Sequence, residues 1–212
     1  MNNDQYFGLL AEKSLILSDL RKEGLLLAEQ VIGKTLFKED LFFCASINRC
    51  LNLMEGVEFL LEERNLTCAG AILRLQIDNC LRTYAAFIAE DKNKIIECII
   101  NGEKINKYKD INGNKMTDAY LKEKLTELDS FVKKIYNNSS GYIHLSEKAF
   151  FETVTNCEGN IIEFQIGRPL PEKRNEVLIE LMDAFIHFIN LHYRMIKAVA
   201  ESKLHYDSET TS

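Results

Sequence analysis

Apolar residues recur at helical intervals through most of this chain. In residues 4–33, Leu9, Leu10, Leu17, Leu20, Leu27 and Val31 fall at such spacings, and Gly33 is placed to stop the helix. A second helix is predicted from about residue 40, carrying Phe43, Ile47, Leu51, Met54, Val57 and Leu61 and ending in the charged run at 62–65. The third, residues 67–89, has an apolar stripe of Leu73, Ile77, Cys80, Tyr84 and Ile88, while Ile72, Leu75 and Ala86 cover much of the other side. A helix that is apolar nearly all round belongs in the middle of a bundle.

A short helix follows at 93–101, closed by Gly102, and residues 103–115, with Asn112-Gly113-Asn114, read as an exposed loop. The fifth helix spans 117–136 with Leu121, Leu125, Leu128, Val132 and Ile135, and stops at the turn formers 137–141. The period then changes. Residues 150–155 and 161–166 are β-prone runs joined by 156–160, which predicts a hairpin. The last helix opens near Pro171 and reaches about residue 203, carrying Val177, Leu181, Phe185, Phe188, Leu191 and Met195. The expected fold is all-α: a bundle of about five long helices with one appended β-hairpin at about 150–166. It forms a single domain over 1–206, with a frayed tail at 207–212.

Charge and composition narrow the functional classes. The formal charge of −6 gives no global attraction to nucleic acid or anionic lipid, so a polyanion would need a local basic site. Residues 92–134 offer one, with ten lysines against seven acids, although a solvated helical face gives the same pattern. No run reaches the ~18 apolar residues of a membrane-spanning helix, and the start lacks the pattern of a signal peptide. The six cysteines are scattered without a CxxC pair, so neither a disulfide framework nor a metal site is expected, and a cytoplasmic location fits. No cofactor motif is present: phosphate-binding loops, GxGxxG, GxSxG and HExxH are all missing.

Two features could carry chemistry. Arg74, Asp78 and Arg82 thread the third helix at i, i+4, i+8, where an ion pair of Asp78 with Arg74 or Arg82 is expected. Such a ladder can fix helix register, or hold an arginine for an anionic substrate. The second feature is the segment 136–146, in which His144 lies beside Ser140, Tyr142 and Ser146. Histidine is the usual general acid or base, though a loop histidine can equally be a hydrogen-bonding element. His187 and His192 stand about 140° apart on a helix and suit neither a shared metal nor a catalytic pair, so they read as core-edge or surface residues.

The helix A-G-A-I-L-R-L-Q-I-D-N-C-L-R at 69–82, followed by S-G-Y-I-H-L-S at 140–146, resembles the HEPN-like helical domains of prokaryotic defence and abortive-infection proteins. That resemblance covers roughly residues 40–200. It implies a homodimer, and metal-free action on RNA or binding of a nucleotide-like anion, with His144 as the matching histidine. The arginine that the family carries just before its histidine has no counterpart around His144, so Arg74 would have to supply the cation from another helix. The implied site has Arg74, Asp78 and His144 as catalytic residues, with Arg82, Tyr142 and Ser140 binding substrate. In that mechanism Arg74, oriented by Asp78, holds a phosphate while His144 takes a 2′-hydroxyl proton. The alternative is a non-catalytic interaction or nucleotide-binding module whose hairpin edge takes a protein partner strand.

Overall fold

The computed structural model describes residues 1–141, 154–164, 166–167 and 171–209, with backbone alone at Ser140 and Thr155. Among these are seven α-helices and one two-stranded hairpin: α1 Asn3–Ile32, α2 Lys38–Glu62, α3 Leu66–Ile88, α4 Lys92–Ile100, α5 Asp118–Leu128, α6 Phe131–Ser140, β1 Val154–Glu158, β2 Ile161–Phe164 and α7 Asn175–Glu209. The fold is all-α with an appended β-hairpin. Helix α1 packs on α2 and α7, and α3 closes the ring by packing on the same two. On the outer side of α3 lie α4, α5 and α6.

The expected enclosure of α3 is found: Leu66, Ala69, Leu73, Ile77, Cys80, Leu81, Ala85 and Ala86 are buried, and so are Gln76, Asn79 and Thr83. Phe185, Phe188 and Leu191 on α7 are buried inside this same core. They are therefore not available to a second copy of the chain. No helix among the described residues is long and apolar enough to cross a membrane.

Four boundaries differ from the sequence reading. The helix expected over 117–136 is two helices, because Asp129 and Ser130 interrupt it. Asp129 Oδ1 accepts from the Phe131 amide at 3.1 Å and so starts α6 afresh. The loop 103–115 is partly folded around Asp110, which accepts from the amides of Asn112 and Asn114 and from the Tyr120 hydroxyl. The hairpin is tighter than expected: Asn156 and Cys157 belong to β1, and Gly159, at φ 57°, opens a short turn with Asn160. Residues 150–153, expected to begin the first strand, lie outside the described residues. Finally, α7 runs to Glu209 instead of fraying at 207.

The cause of that extension is a clamp at the end of α7. Asp207 Oδ2 accepts from the Lys34 amide at 2.8 Å, and Lys203 forms a buried ion pair with Asp40 while donating to the Thr35 carbonyl. Asp40 in turn accepts from the Phe37 amide at 2.8 Å and so starts α2. The clamp needs Gly33, whose φ is +55° and whose place leaves no room for a Cβ, which would stand 2.5 Å from Asp207 Oδ2.

A second buried polar group ties the centre together. His192 Nε2 lies 3.0 Å from Ser46 Oγ, and Asn79 donates to the Ser46 carbonyl at 2.9 Å. Cys80 and Gln76 both reach the Phe188 carbonyl. Complete burial pushes the His192 imidazole down to about 3, so it is neutral in the folded chain.

Two outcomes follow from these buried groups. Lys203→Ala leaves the Asp40 carboxylate buried and unpaired, and should lower the urea-unfolding free energy by about 3–5 kcal/mol. Pairing Lys203→Met with Asp40→Leu should recover most of that, and a single-variant loss no larger than that of a surface lysine would show that the clamp is not structural. For His192, the unfolded ring takes up a proton as pH falls through its ordinary value of 6.5, whereas the folded ring refuses it until about 3. Stability therefore falls with pH in that window, by up to about 1.4 kcal/mol per pH unit from this group. His192→Gln should flatten the acid limb of an unfolding series relative to wild type, and parallel curves would contradict the assignment.

Candidate functional site

The charged residues of α3 open into a cleft of about 600 Å³ between α2, α3, the loop after α4 and the start of α5. Asp78 sits at its floor. Its Oδ1 lies 3.0 Å from Arg82 Nη2, the ion pair that the i,i+4 spacing predicts, and its Oδ2 lies 3.7 Å from Arg49 on α2. Arg82 also reaches Asp118, in the first turn of α5, at 2.7 Å. The chain Arg49–Asp78–Arg82–Asp118 thus runs across three helices.

Two details decide what this cleft can do. Arg82 approaches both carboxylates with Nη2, and its Nε and Nη1 donate no hydrogen bond among the described residues. Arg49, at 3.7 Å, is beyond hydrogen-bonding distance and its side chain is 46% exposed. Lys104 and Thr117 also line the cleft, and Thr117 caps α5 by accepting from the Tyr120 amide, so the positive end of that helix opens here. Against Arg49, Arg82 and Lys104 stand Asp78, Glu103 and Asp118, a balance of zero. Bound guanidiniums are held in place, and the most exposed carboxylate of the ion-pair chain, Asp118, is the one an incoming anion can displace.

The other residues singled out in the sequence fare differently. Arg74 turns away from Asp78 and lies over the Tyr136 ring of α6, 4.0 Å from its centroid, with no carboxylate within ion-pair distance among the described residues. Asp78 therefore orients Arg82 and Arg49, and Arg74 is oriented by an aromatic face. Ser140 closes α6, but its side chain lies outside the description, and Tyr142 and His144 lie outside the described residues altogether.

A second cleft, of about 490 Å³, lies between α6 and α7, with Leu73, Ile135, Leu181 and Ala184 among its apolar walls and Lys134, Asn138 and Ser139 on its α6 side. At one end, His187 and Phe131 also line a smaller groove with Asp129, Asn190 and Arg194. Asp129 Oδ2 lies 2.9 Å from His187 Nε2 and accepts from Arg194 at 3.1 Å. The His187 contact is an ion-pair approach without a hydrogen bond, and Nε2 is buried with no hydrogen-bond partner among the described residues. Sequence spacing gave no sign of Arg49 or of the His187–Asp129 pair, since their partners come from distant helices.

The chain matches no protein-family model, no curated protein and no solved structure. The functional reading therefore rests on the residues themselves.

The geometry of α3 can be checked by double-mutant cycles in urea unfolding. Arg82→Ala with Asp78→Asn should give a coupling of about 0.5–1 kcal/mol, as for a partly exposed pair. Arg74→Ala with Asp78→Asn should give none, and Arg74→Ala with Tyr136→Leu should. A coupling between Arg74 and Asp78 equal to that of the Arg82 pair would contradict the arrangement.

Proposed function

We propose that the chain is a HEPN-like protein of defence or toxin type that binds RNA, or a nucleotide-like anion, in the cleft between α2, α3 and α5. The observation that carries this is the Asp78 carboxylate shared by two guanidiniums, Arg49 and Arg82, whose remaining donors are uncommitted at the positive end of α5. A planar donor fork held from behind by a carboxylate suits a phosphate better than a mobile lysine does, because less side-chain freedom is lost on binding. The cation that the family likeness asks of Arg74 is supplied in this reading by Arg82 and Arg49, and Arg74 fixes α6 through Tyr136.

In its catalytic form the reading adds metal-free cleavage: a base takes the 2′-hydroxyl proton and the oxygen attacks the adjacent phosphorus. His144 is the base that the resemblance implies. A homodimer belongs to the same likeness. The hairpin supports a protein partner as well, since Ile161, Ile162, Phe164 and Ile166 are all more than 60% exposed on and beside a strand whose outer edge is unpaired among the described residues.

The non-catalytic reading draws on the zero charge balance of the cleft, which equally clips α2, α3 and α5 together. Binding separates the two. Fluorescence anisotropy with labelled single-stranded RNA should show a loss of about tenfold or more for Arg49→Ala/Arg82→Ala. The log–log salt slope should become shallower by about one unit per phosphate contact removed. Unchanged affinity and slope would sink the RNA reading, and wild-type RNA surviving incubation in EDTA would reduce it to binding alone.

A further inference from the structure

The described residues hold three histidines, and their surroundings sort them sharply. His192 is sealed in the core and neutral. His205 is 76% exposed at the end of α7, beside Glu209 at 3.2 Å, and lines none of the clefts described above. His187 differs from both, because its side chain is one-third exposed, it faces two adjoining clefts, and a carboxylate stands against one of its nitrogens.

That carboxylate is itself fixed. Asp129 is only 9% exposed; its Oδ1 starts α6, and its Oδ2 meets His187 and Arg194. The ring is set edge-on between Phe131, at 5.6 Å, and Phe188, at 5.7 Å. With Nε2 turned to Asp129, Nδ1 has no hydrogen-bond partner among the described residues. A carboxylate 2.9 Å from one imidazole nitrogen, with the other nitrogen open, is the juxtaposition from which a general base is built.

The neighbours supply what a nucleotide needs. Phe131 is 56% exposed and offers a stacking face for a base. Arg194 is 61% exposed and spends only Nη2 on Asp129, and Lys134 has no ion pair among the described residues. The cleft also holds two acids: Asp183 is neutralised by Lys13, and Glu180 stands about two turns from His187 on the same helix. The Arg49–Arg82 cleft opens at the first residues of α5 and the His187 groove at its last. Eleven residues of helix separate them by about 16 Å, the reach of about five phosphates of a stacked strand.

We propose that His187, oriented by Asp129, is the general base of RNA cleavage, with Arg194 and Lys134 on the scissile phosphate and a base stacked on Phe131. This rests on the RNA reading above and gives that reading a second candidate centre besides His144. The 2′-hydroxyl proton passes to His187 Nδ1, O2′ bonds the phosphorus, and the P–O5′ bond breaks. The imidazolium then returns its proton to O5′ through water, leaving a 2′,3′-cyclic phosphate and a 5′-hydroxyl. Asp129 is a positioning residue, because it acts through the ring and touches no reacting atom.

The test uses the full chain with fluorescein-labelled single-stranded RNA in EDTA. His187→Ala should lower kcat by about 10²- to 10⁴-fold, the usual cost of losing a general base, while KM changes by less than about threefold. Imidazole added to the buffer should restore part of the His187→Ala rate, which a purely structural histidine would not allow. Asp129→Asn should lower kcat without raising KM, and Arg194→Ala should raise KM. Should His187→Ala unfold, His187→Gln, judged by retained helical circular dichroism, takes its place in the same comparison. Wild-type rates in His187→Ala, or loss of cleavage in His144→Ala alone, would overturn the assignment. Wild-type protein that binds RNA through Arg49 and Arg82 yet leaves it intact would overturn the base at His187 and leave the binding reading standing. Wild-type protein that neither binds nor cleaves would overturn both.

Discussion

Helix α3 is enclosed between α2 and α7, and a polar side chain on an enclosed helix must find its partner within the protein or reach an edge. Gln76, Asn79 and Cys80 are turned inward, and their partners are backbone carbonyls: Ser46 on α2 and Phe188 on α7. His192 joins them as a neutral ring, since the desolvation cost of a charge there is larger than any contact returns. These contacts fix the angle at which α3 presents its remaining charges. Asp78 and Arg82 then emerge where α2 and α5 flank the helix, and Arg74 emerges where α6 covers it. One buried stripe thus sets where each charge of α3 can act.

The outer layer completes the arrangement by breaking a helix. Had 117–136 been continuous, Asp129 would have been one more exposed acid on a helical face. As the residue that ends α5 and starts α6, it is instead held at 9% exposure, with one oxygen on the backbone and one facing α7. The same break lets α6 turn so that Tyr136 meets Arg74 and the α6–α7 cleft opens beside His187. A cap therefore acts at two levels, as a local helix signal and as a carboxylate placed against an imidazole.

Much of the fold was legible in the sequence, because helical periodicity reports burial directly: the apolar stripes of α1, α2 and α7 read off, and so did the central place of α3, although Leu75 on its far side is 43% exposed. The pair Asp78–Arg82 was legible for the same reason, since i,i+4 neighbours need no tertiary knowledge. Arg74 was not. It has the same spacing from Asp78, and its direction was decided by Tyr136, on a helix far along the chain. Arg49 and the Asp129–His187 contact were invisible on the same ground, as periodicity says which face is buried and nothing about which helix lies against it. The Asp129-Ser130 break was visible in principle as a capping pair, but the apolar spacing of Leu125, Leu128 and Val132 runs straight through it.

The central claim is that the two arginines gathered by Asp78, and not the one on Tyr136, meet the phosphate. Side-chain nitrogen NMR of ¹⁵N-labelled arginine, followed while single-stranded RNA is added, reads this directly. The account predicts that the Nε–H resonances of Arg49 and Arg82 move and sharpen as donors engage phosphate, while that of Arg74 stays in place. Movement of Arg74 with Arg49 and Arg82 unchanged would contradict it.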